Sequence, residues 1–215
     1  MLFRSSLVPL STSQQLLSES QDDPAIRREV TGIMGDSVRR ISRLARQMQF
    51  LSRDGLRRVE SVPLAKLIED AFQEAHAENP RASARLQYES GGQPLSLTAE
   101  RAGLQHALAE VLLNALQATP DDQPVQVVSC TETRPDGSRW VRDVRDAGAG
   151  FDAESAARAT EPFYSKRTVG LGLGLTVTRK IVELHRGELD VRAAAPGTVS
   201  IALPAGGSDP EQIAE

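Results

Sequence analysis

A single cysteine, Cys130, leaves this 215-residue chain without an internal disulfide, and therefore without need of an oxidising compartment. The residue lies in the apolar, strand-like run VQVVSC, a setting that predicts a buried, reduced thiol. No run approaches the roughly 18 consecutive apolar residues of a membrane helix, and MLFRSSLVPL is too short and too interrupted for a secretory signal. A cytoplasmic location is the expectation, so that sensing anything outside the cell falls to an upstream sensor protein. A basic excess is missing as well. With 25 Lys and Arg against 29 Asp and Glu, a net charge of -4 and a pI near 5.5, nucleic acid is a poor candidate ligand. What is present is a 40% apolar fraction, enough to bury a core in one or two domains.

From Pro24 to Arg53 the chain reads as one long helix. DDP supplies a cap and a first-turn proline, and after Gly35 no glycine follows until Gly55. Val30, Met34, Ile41, Leu44, Met48 and Leu51 fall on heptad a and d positions, interrupted by a polar Ser37. A leucine-bearing segment over residues 2 to 20, with Pro9 in it, is the antiparallel partner. Two helices bury little, so two chains forming a four-helix bundle is one expectation; a hairpin packed on its own C-terminal domain is the other. Beyond RDGLRR the pattern alternates. A helix in PLAKLIEDAFQEAHAENP precedes strands in ARLQYES and PLSLTAE, then a helix from about Arg101 to Thr119. Strands PVQVVSCTETR and SRWVRDVRD join through Pro135, Asp136 and Gly137. A helix from about Leu173 to His185 leads into a final hairpin turning at Pro196 and Gly197, before a polar tail. Hairpin-connected strands among helices predict a mixed sheet with helices on one face, a two-layer α/β sandwich.

Three stretches carry chemistry. In EVLLNALQA, Glu110, Asn114 and Gln117 recur at helical spacing, and a carboxylate and an amide one turn apart suit a Mg²⁺ that completes its shell with water and phosphates. In DVRDAGAGFD a strand ends at Asp146, and Gly148 and Gly150 permit a tight turn beside a flat ligand. Asp146 can accept a hydrogen bond from an exocyclic amine such as that of adenine. Gly170, Gly172 and Gly174 alternate directly before a helix, so bare N–H groups and the positive helix end can meet phosphate oxygens. No GK[ST] follows, which excludes a Walker loop, and no acidic residue sits about 20 positions on, which excludes a dinucleotide fingerprint. The poorly patterned stretch FDAESAARATEPFYSKRTV between the glycine turns is a candidate lid, from which Lys166 or Arg167 can reach a terminal phosphate.

In this order the four features resemble the ATP-binding domain of sensor histidine kinases and of their gyrase, heat-shock chaperone and mismatch-repair relatives, over nearly the whole chain. EVLLNALQA is similar to the N box, DAGAG to the first glycine box, EPFYSKR to the F box and GLGLGL to the second glycine box. RRISRLARQMQFLSR resembles the second helix of the dimerisation and histidine-phosphotransfer region. The resemblance implies an α+β chain: a helical hairpin over residues 1–57, a Bergerat-type sandwich over 58–206 and a flexible tail over 207–215. It implies ATP and Mg²⁺ as cofactors, with Glu110 and Asn114 at the metal. Asn114, Asp146, Gly148, Gly150, Tyr164, Gly170, Gly172, Gly174 and Leu175 would hold the nucleotide, and Glu110 and Lys166 would act in catalysis. A homodimer partnered by a response-regulator receiver domain follows from the same likeness.

The departures are specific. Counting back from LSR by the family's helix-loop-helix length, and aligning Pro9 with the family's proline, puts the phosphoacceptor at Arg4, so the chain either begins past its acceptor or lacks one. Its three histidines, His76, His106 and His185, read as structural or exposed. Glu110 stands where most family kinases have asparagine and where the ATP-hydrolysing relatives have a general base. Ala147 replaces an asparagine of the first glycine box, and the lid is one residue short at YSKR. Three functions follow: a histidine kinase, a non-phosphorylating scaffold that docks a receiver domain, and an ATPase using Glu110.

Overall fold

The computed structural model describes residues 24–80, 82–91, 96–134, 137–166 and 170–205. The expected helix over residues 2 to 20, Arg4, the Pro135–Asp136 turn, Arg167 and the tail lie outside the described residues. The chain divides into two compact units, Met1–Gln49 and Phe50–Glu215.

Helix α1 (Pro24–Leu51) opens on its proline, where the missing N–H costs no helical hydrogen bond. Ser37 is tolerated on the apolar seam because its hydroxyl donates to the Ile33 carbonyl one turn back, at 2.9 Å. Val30 is buried, whereas Ile41 and Met48 on the same seam are exposed, together with Ile33 and Val38.

The second unit begins with a two-stranded antiparallel ribbon of β1 (Glu60–Pro63) and β3 (Ser96–Ala99). Its main sheet has five strands in the order β2 (Leu86–Ser90), β4 (Val125–Arg134), β5 (Gly137–Arg145), β7 (Thr198–Pro204), β6 (Glu188–Arg192). In this sheet only the β2–β4 pair is parallel; the β4–β5 and β6–β7 hairpins and the crossover pair β5–β7 are antiparallel, giving the mixed sheet that the sequence predicts. Helices α2 (Leu64–Glu78), α3 (Arg101–Ala118) and α5 (Gly174–Leu184) form the second layer, with α3 packed between the other two. The layer is the expected two-layer sandwich.

Register sorts the sheet residues. Val127, Val144 and Val199 pair across β4, β5 and β7 on the buried face, as do Trp140 and Leu203. The same period of two corrects the expectation for Cys130: its neighbour Ser129 faces inward, so Cys130 faces outward and is exposed. Partial burial, with nearby acidic charge from Glu132 and Asp143, pushes the thiol up, away from the reactive thiolate form.

The first residues of the second unit, from Phe50 onward, are fastened to the sandwich. Phe50 packs with Ala107, Val177 and Ile181 of α3 and α5. Glu100, at the head of α3, accepts from Arg53 Nη1 at 2.5 Å and from the Arg57 N–H at 3.0 Å. Its own N–H donates to His185 Nε2 at 3.1 Å, and His185 Nδ1 donates to the Ile181 carbonyl at 2.7 Å. These partners require the neutral imidazole, and burial holds its pKa below the ordinary 6.5. An unfolded chain would take up a proton near pH 6.5 that the folded one refuses, so stability is flat above that pH and falls below it. The slope is at most about 1.4 kcal/mol per pH unit from this group. Urea midpoints at about pH 5 and pH 7.5 should differ in the wild type and differ less in His185→Gln. Equal differences in the two proteins would show that His185 is not held neutral.

Candidate functional site

Helix α3 is apolar nearly all round because it is enclosed by two helices and the sheet: Leu104, Leu108, Val111, Leu112, Leu113, Ala115 and Leu116 are all buried. Against that background its polar residues stand apart. Gln117 is exposed, Asn114 half-buried and Glu110 only 2% exposed. A carboxylate so enclosed needs polar company. His106, one turn earlier and also buried, places Nε2 3.7 Å from Glu110 Oε1 and Nδ1 3.5 Å from Glu74 Oε1, with the Phe50 ring stacked on it at 4.8 Å. Sequence reasoning treated His106 as a lone histidine; its (i, i+4) spacing to Glu110 was the signal that paired them.

Strand β5 delivers Asp146 to the other end of this helix. The Asp146 N–H donates to the Gly197 carbonyl at 3.0 Å, and Asp146 Oδ1 accepts the Gly148 N–H at 2.8 Å. A β-carbon on Gly148 would lie 2.7 Å from the Ala118 carbonyl oxygen, and the Ala147 N–H reaches Thr119 Oγ1 at 3.4 Å. The turn is thus seated on the C-terminus of α3, and bare main chain at Gly148 is the condition for that approach. Gly150, at φ 72°, packs against Ala194 of the β6–β7 turn, whose carbonyl accepts the Phe151 N–H at 3.1 Å. Gly197 was missed in the sequence, where PGT reads only as a hairpin. Any side chain there would collide with the Asp146 carboxylate.

Between the glycine turns the sequence reading found no regular element, yet Ala153–Arg158 forms a short helix, α4. Asp152 caps it, accepting the Ser155 N–H and hydroxyl, each at 2.7 Å, a D-x-x-S signature legible in the sequence. Lys166 Nζ lies 2.6 Å from Asp152 Oδ2, and both groups are exposed. The Lys166 bond, aided by Ser155, holds the Asp152 carboxyl well below the usual carboxylate range. Lys166 is therefore engaged at the foot of the lid. Tyr164 lies beneath the Arg158 guanidinium, 4.3 Å from the ring centroid, and its buried hydroxyl has no hydrogen-bond partner.

The second glycine turn is pinned to that lid. The Phe163 N–H donates to the Gly172 carbonyl at 3.0 Å, and Gly172 takes φ 64° hard against the Tyr164 main chain, where a β-carbon would clash. Gly170, exposed and at φ 126°, has open space around it. Gly174 starts α5 and Leu175 is buried in its first turn. Thr178 Oγ1 contacts the Ala107 carbonyl at 3.3 Å and the Gly174 carbonyl at 3.0 Å, joining α5 to α3. Both glycine turns are thereby tied to the one helix that carries Glu110 and Asn114. The orphaned Tyr164 hydroxyl, the glycine main chain and the Asp146 carboxylate fit a polar ligand with donors and acceptors. Among the described residues no three His, Cys, Asp or Glu side chains form a metal cage.

Residues 99–207 match the family described as histidine kinase-, DNA gyrase B-, and HSP90-like ATPase. The signal transduction histidine-protein kinase AtoS of Escherichia coli (strain K12) is 24% identical over 204 residues, covering 94% of this chain and 33% of AtoS. The sensor protein FixL of Bradyrhizobium diazoefficiens is 28% identical over 198 residues, 90% of this chain and 39% of FixL. The chain thus spans between a third and two fifths of these relatives. Among solved structures, the Acinetobacter baumannii histidine kinase AdeS superposes with a TM-score of 0.69 at 14% identity, covering 94% of this chain and 98% of that one. The catalytic domain of histidine kinase ThkA gives 0.60 at 22% identity, over 69% and 97%. With a family match over half its length, and histidine kinases among its relatives and structural neighbours, the chain belongs to the histidine kinase-, DNA gyrase B- and HSP90-like ATPase family, as a histidine-kinase-type ATP-binding catalytic core.

Proposed function

We propose that this protein binds Mg-ATP and acts as the kinase of a two-component system, moving the γ-phosphoryl group to a histidine for relay to a response-regulator aspartate. The accepting histidine is supplied by a longer form of the chain or in trans. The observation that carries the reading is the attachment of both glycine turns to α3, through Gly148 on Ala118 and through Thr178 on Ala107. Asp146 takes the adenine amine, and the main chain of Gly170 to Gly174 with the N-terminus of α5 takes the phosphates. Asn114 and Glu110 would hold Mg²⁺, which supplies charge neutralisation on the phosphates when bound. Lys166 leaves Asp152 for the terminal phosphate as the lid closes. A histidine nitrogen attacks the γ-phosphorus with its lone pair while the bond to the ADP oxygen breaks, and Glu110 accepts the imidazole proton. Catalysis is then mostly positioning and charge neutralisation.

A second reading, hydrolysis, is favoured by one observation: Glu110 is enclosed beside His106 in a setting that suits a general base for water. The exposed seam positions Ile41 and Met48 support a homodimer, and a receiver domain and an upstream sensor complete the proposed partners. Among the described residues no helix is long and apolar enough to cross a membrane. Incubation with γ-labelled ATP, with and without a receiver domain and a histidine-bearing helical domain, tests the proposal. Acid-labile label on histidine supports the kinase, free labelled phosphate supports hydrolysis, and neither, beside measurable ATP binding, leaves a scaffold.

Gly172→Ala is expected to weaken ATP binding about tenfold. The left-handed conformation costs a non-glycine residue about 1–2 kcal/mol, and the added methyl pushes the turn off the Tyr164 main chain. Calorimetric titration measures it; an unchanged affinity would remove Gly172 from the phosphate site.

A further inference from the structure

Among the described residues the helix-facing side of the sheet buries one charged side chain, opposite the hydroxyl of Ser129. Arg139, Arg142 and Arg145 recur every third residue along β5, so the strand's period of two sends the outer two to one face and Arg142 to the other, between Trp140 and Val144. Arg142 is 0% exposed. Its guanidinium lies over the Trp140 ring at 4.4 Å and near the Tyr88 ring at 5.1 Å, and Nη2 donates to the Ser129 hydroxyl. Nε and Nη1 are buried without a hydrogen-bond partner, and so is Trp140 Nε1 in the same cluster. Among the described residues no carboxylate pairs with Arg142. Asp143, next in sequence, points to the opposite face, where Ser200, Arg192 and Arg145 occupy it. Burial lowers the Arg142 pKa only to about 10, so it is a cation at neutral pH. The Trp140 and Tyr88 rings and the Ser129 and Tyr88 hydroxyls around it are all neutral, so among the described residues the buried cation has no counter-charge.

We propose that the cluster of Arg142, Trp140, Tyr88 and Ser129 encloses a small monovalent inorganic anion, of chloride size, bound by Arg142 Nε and Nη1 as counter-ion inside the sandwich. Complete burial excludes a macromolecular partner or an organic phosphate. Water is the other acceptor small enough; it would satisfy the donors and leave the charge. The role is structural and lies apart from the nucleotide site, so it stands or falls independently of ATP binding.

Urea unfolding of the full chain, titrated with sodium chloride against sodium gluconate at constant ionic strength, tests the site. The wild-type midpoint should rise with the logarithm of chloride concentration once the site begins to fill. Arg142→Met should show no such rise, and Arg142→Lys, which keeps the charge but loses the fork of donors, a weaker one. Identical chloride responses in wild type and Arg142→Met would overturn the proposal. Should the variants fail to fold, crystals of the wild type grown in bromide decide it. An anomalous peak within hydrogen-bond reach of Arg142 Nε or Nη1 supports the anion, and its absence at molar bromide overturns it.

Discussion

Glu110→Gln is expected to slow both phosphoryl transfer and phosphate release by about 10²–10⁴-fold while lowering Mg-ATP affinity far less, because the amide oxygen can still ligate Mg²⁺ but cannot take a proton. Glutamine has the shape of glutamate and can keep a polar contact with His106, so the enclosed position on α3 should survive the change. What it loses is a basic oxygen able to take a proton from the attacking group. The separation of rate from affinity makes the test informative: a residue that only shapes the pocket would alter both together. Single-turnover rates with labelled ATP, beside calorimetric binding, measure the two quantities. Unchanged transfer would mean that Glu110 is a packing residue whose charge is merely tolerated. A large loss of affinity with little change in rate would assign it to metal binding alone. His106→Asn should reproduce part of the rate loss, because the imidazole is the group beside the Glu110 carboxylate.

Asp146→Asn should weaken ATP binding by about 1–3 kcal/mol, roughly 5- to 150-fold, the range for leaving a buried polar group unpaired. The carboxylate is fixed before any ligand arrives: Oδ1 holds the Gly148 N–H, the main chain holds Gly197, and the bare Cα of Gly197 keeps free of a β-carbon the space beside the other oxygen. Asparagine can retain the bond from Gly148 through its carbonyl, which turns its NH₂ towards the place where an amine donor would sit. The variant should fold as wild type does, and the loss should vanish for a purine triphosphate that lacks the exocyclic amine. Equal losses for both nucleotides would show that Asp146 shapes the turn without reading the base.

Much of this was legible from residue order. The N-box helix, both glycine turns and the β-hairpins have short-range signatures, and the structure puts α3 at Arg101–Ala118 and α5 at Gly174–Leu184, within a residue or two of expectation. Other features depended on distant residues. Cys130 was expected inside because its neighbours are apolar, but facing is set by register, one residue at a time. Helix α4 was absorbed into a lid because six residues make too short a periodic pattern. Lys166 reads as a phosphate ligand by order along the chain, and only folding reveals that Asp152, fourteen residues away, engages it first.

The amino-acid sequence by itself determined the elements, the mixed character of the sheet and the two glycine turns, because helical period, strand period and the freedom of glycine are properties of a few neighbouring residues. Tertiary structure alone decided that Phe50 stacks on the His106 ring, that Gly197 faces Asp146, and that one arginine lies inside the sandwich. Those pairings join residues from separate strands and helices. Packing and register choose them among many that the same local pattern allows.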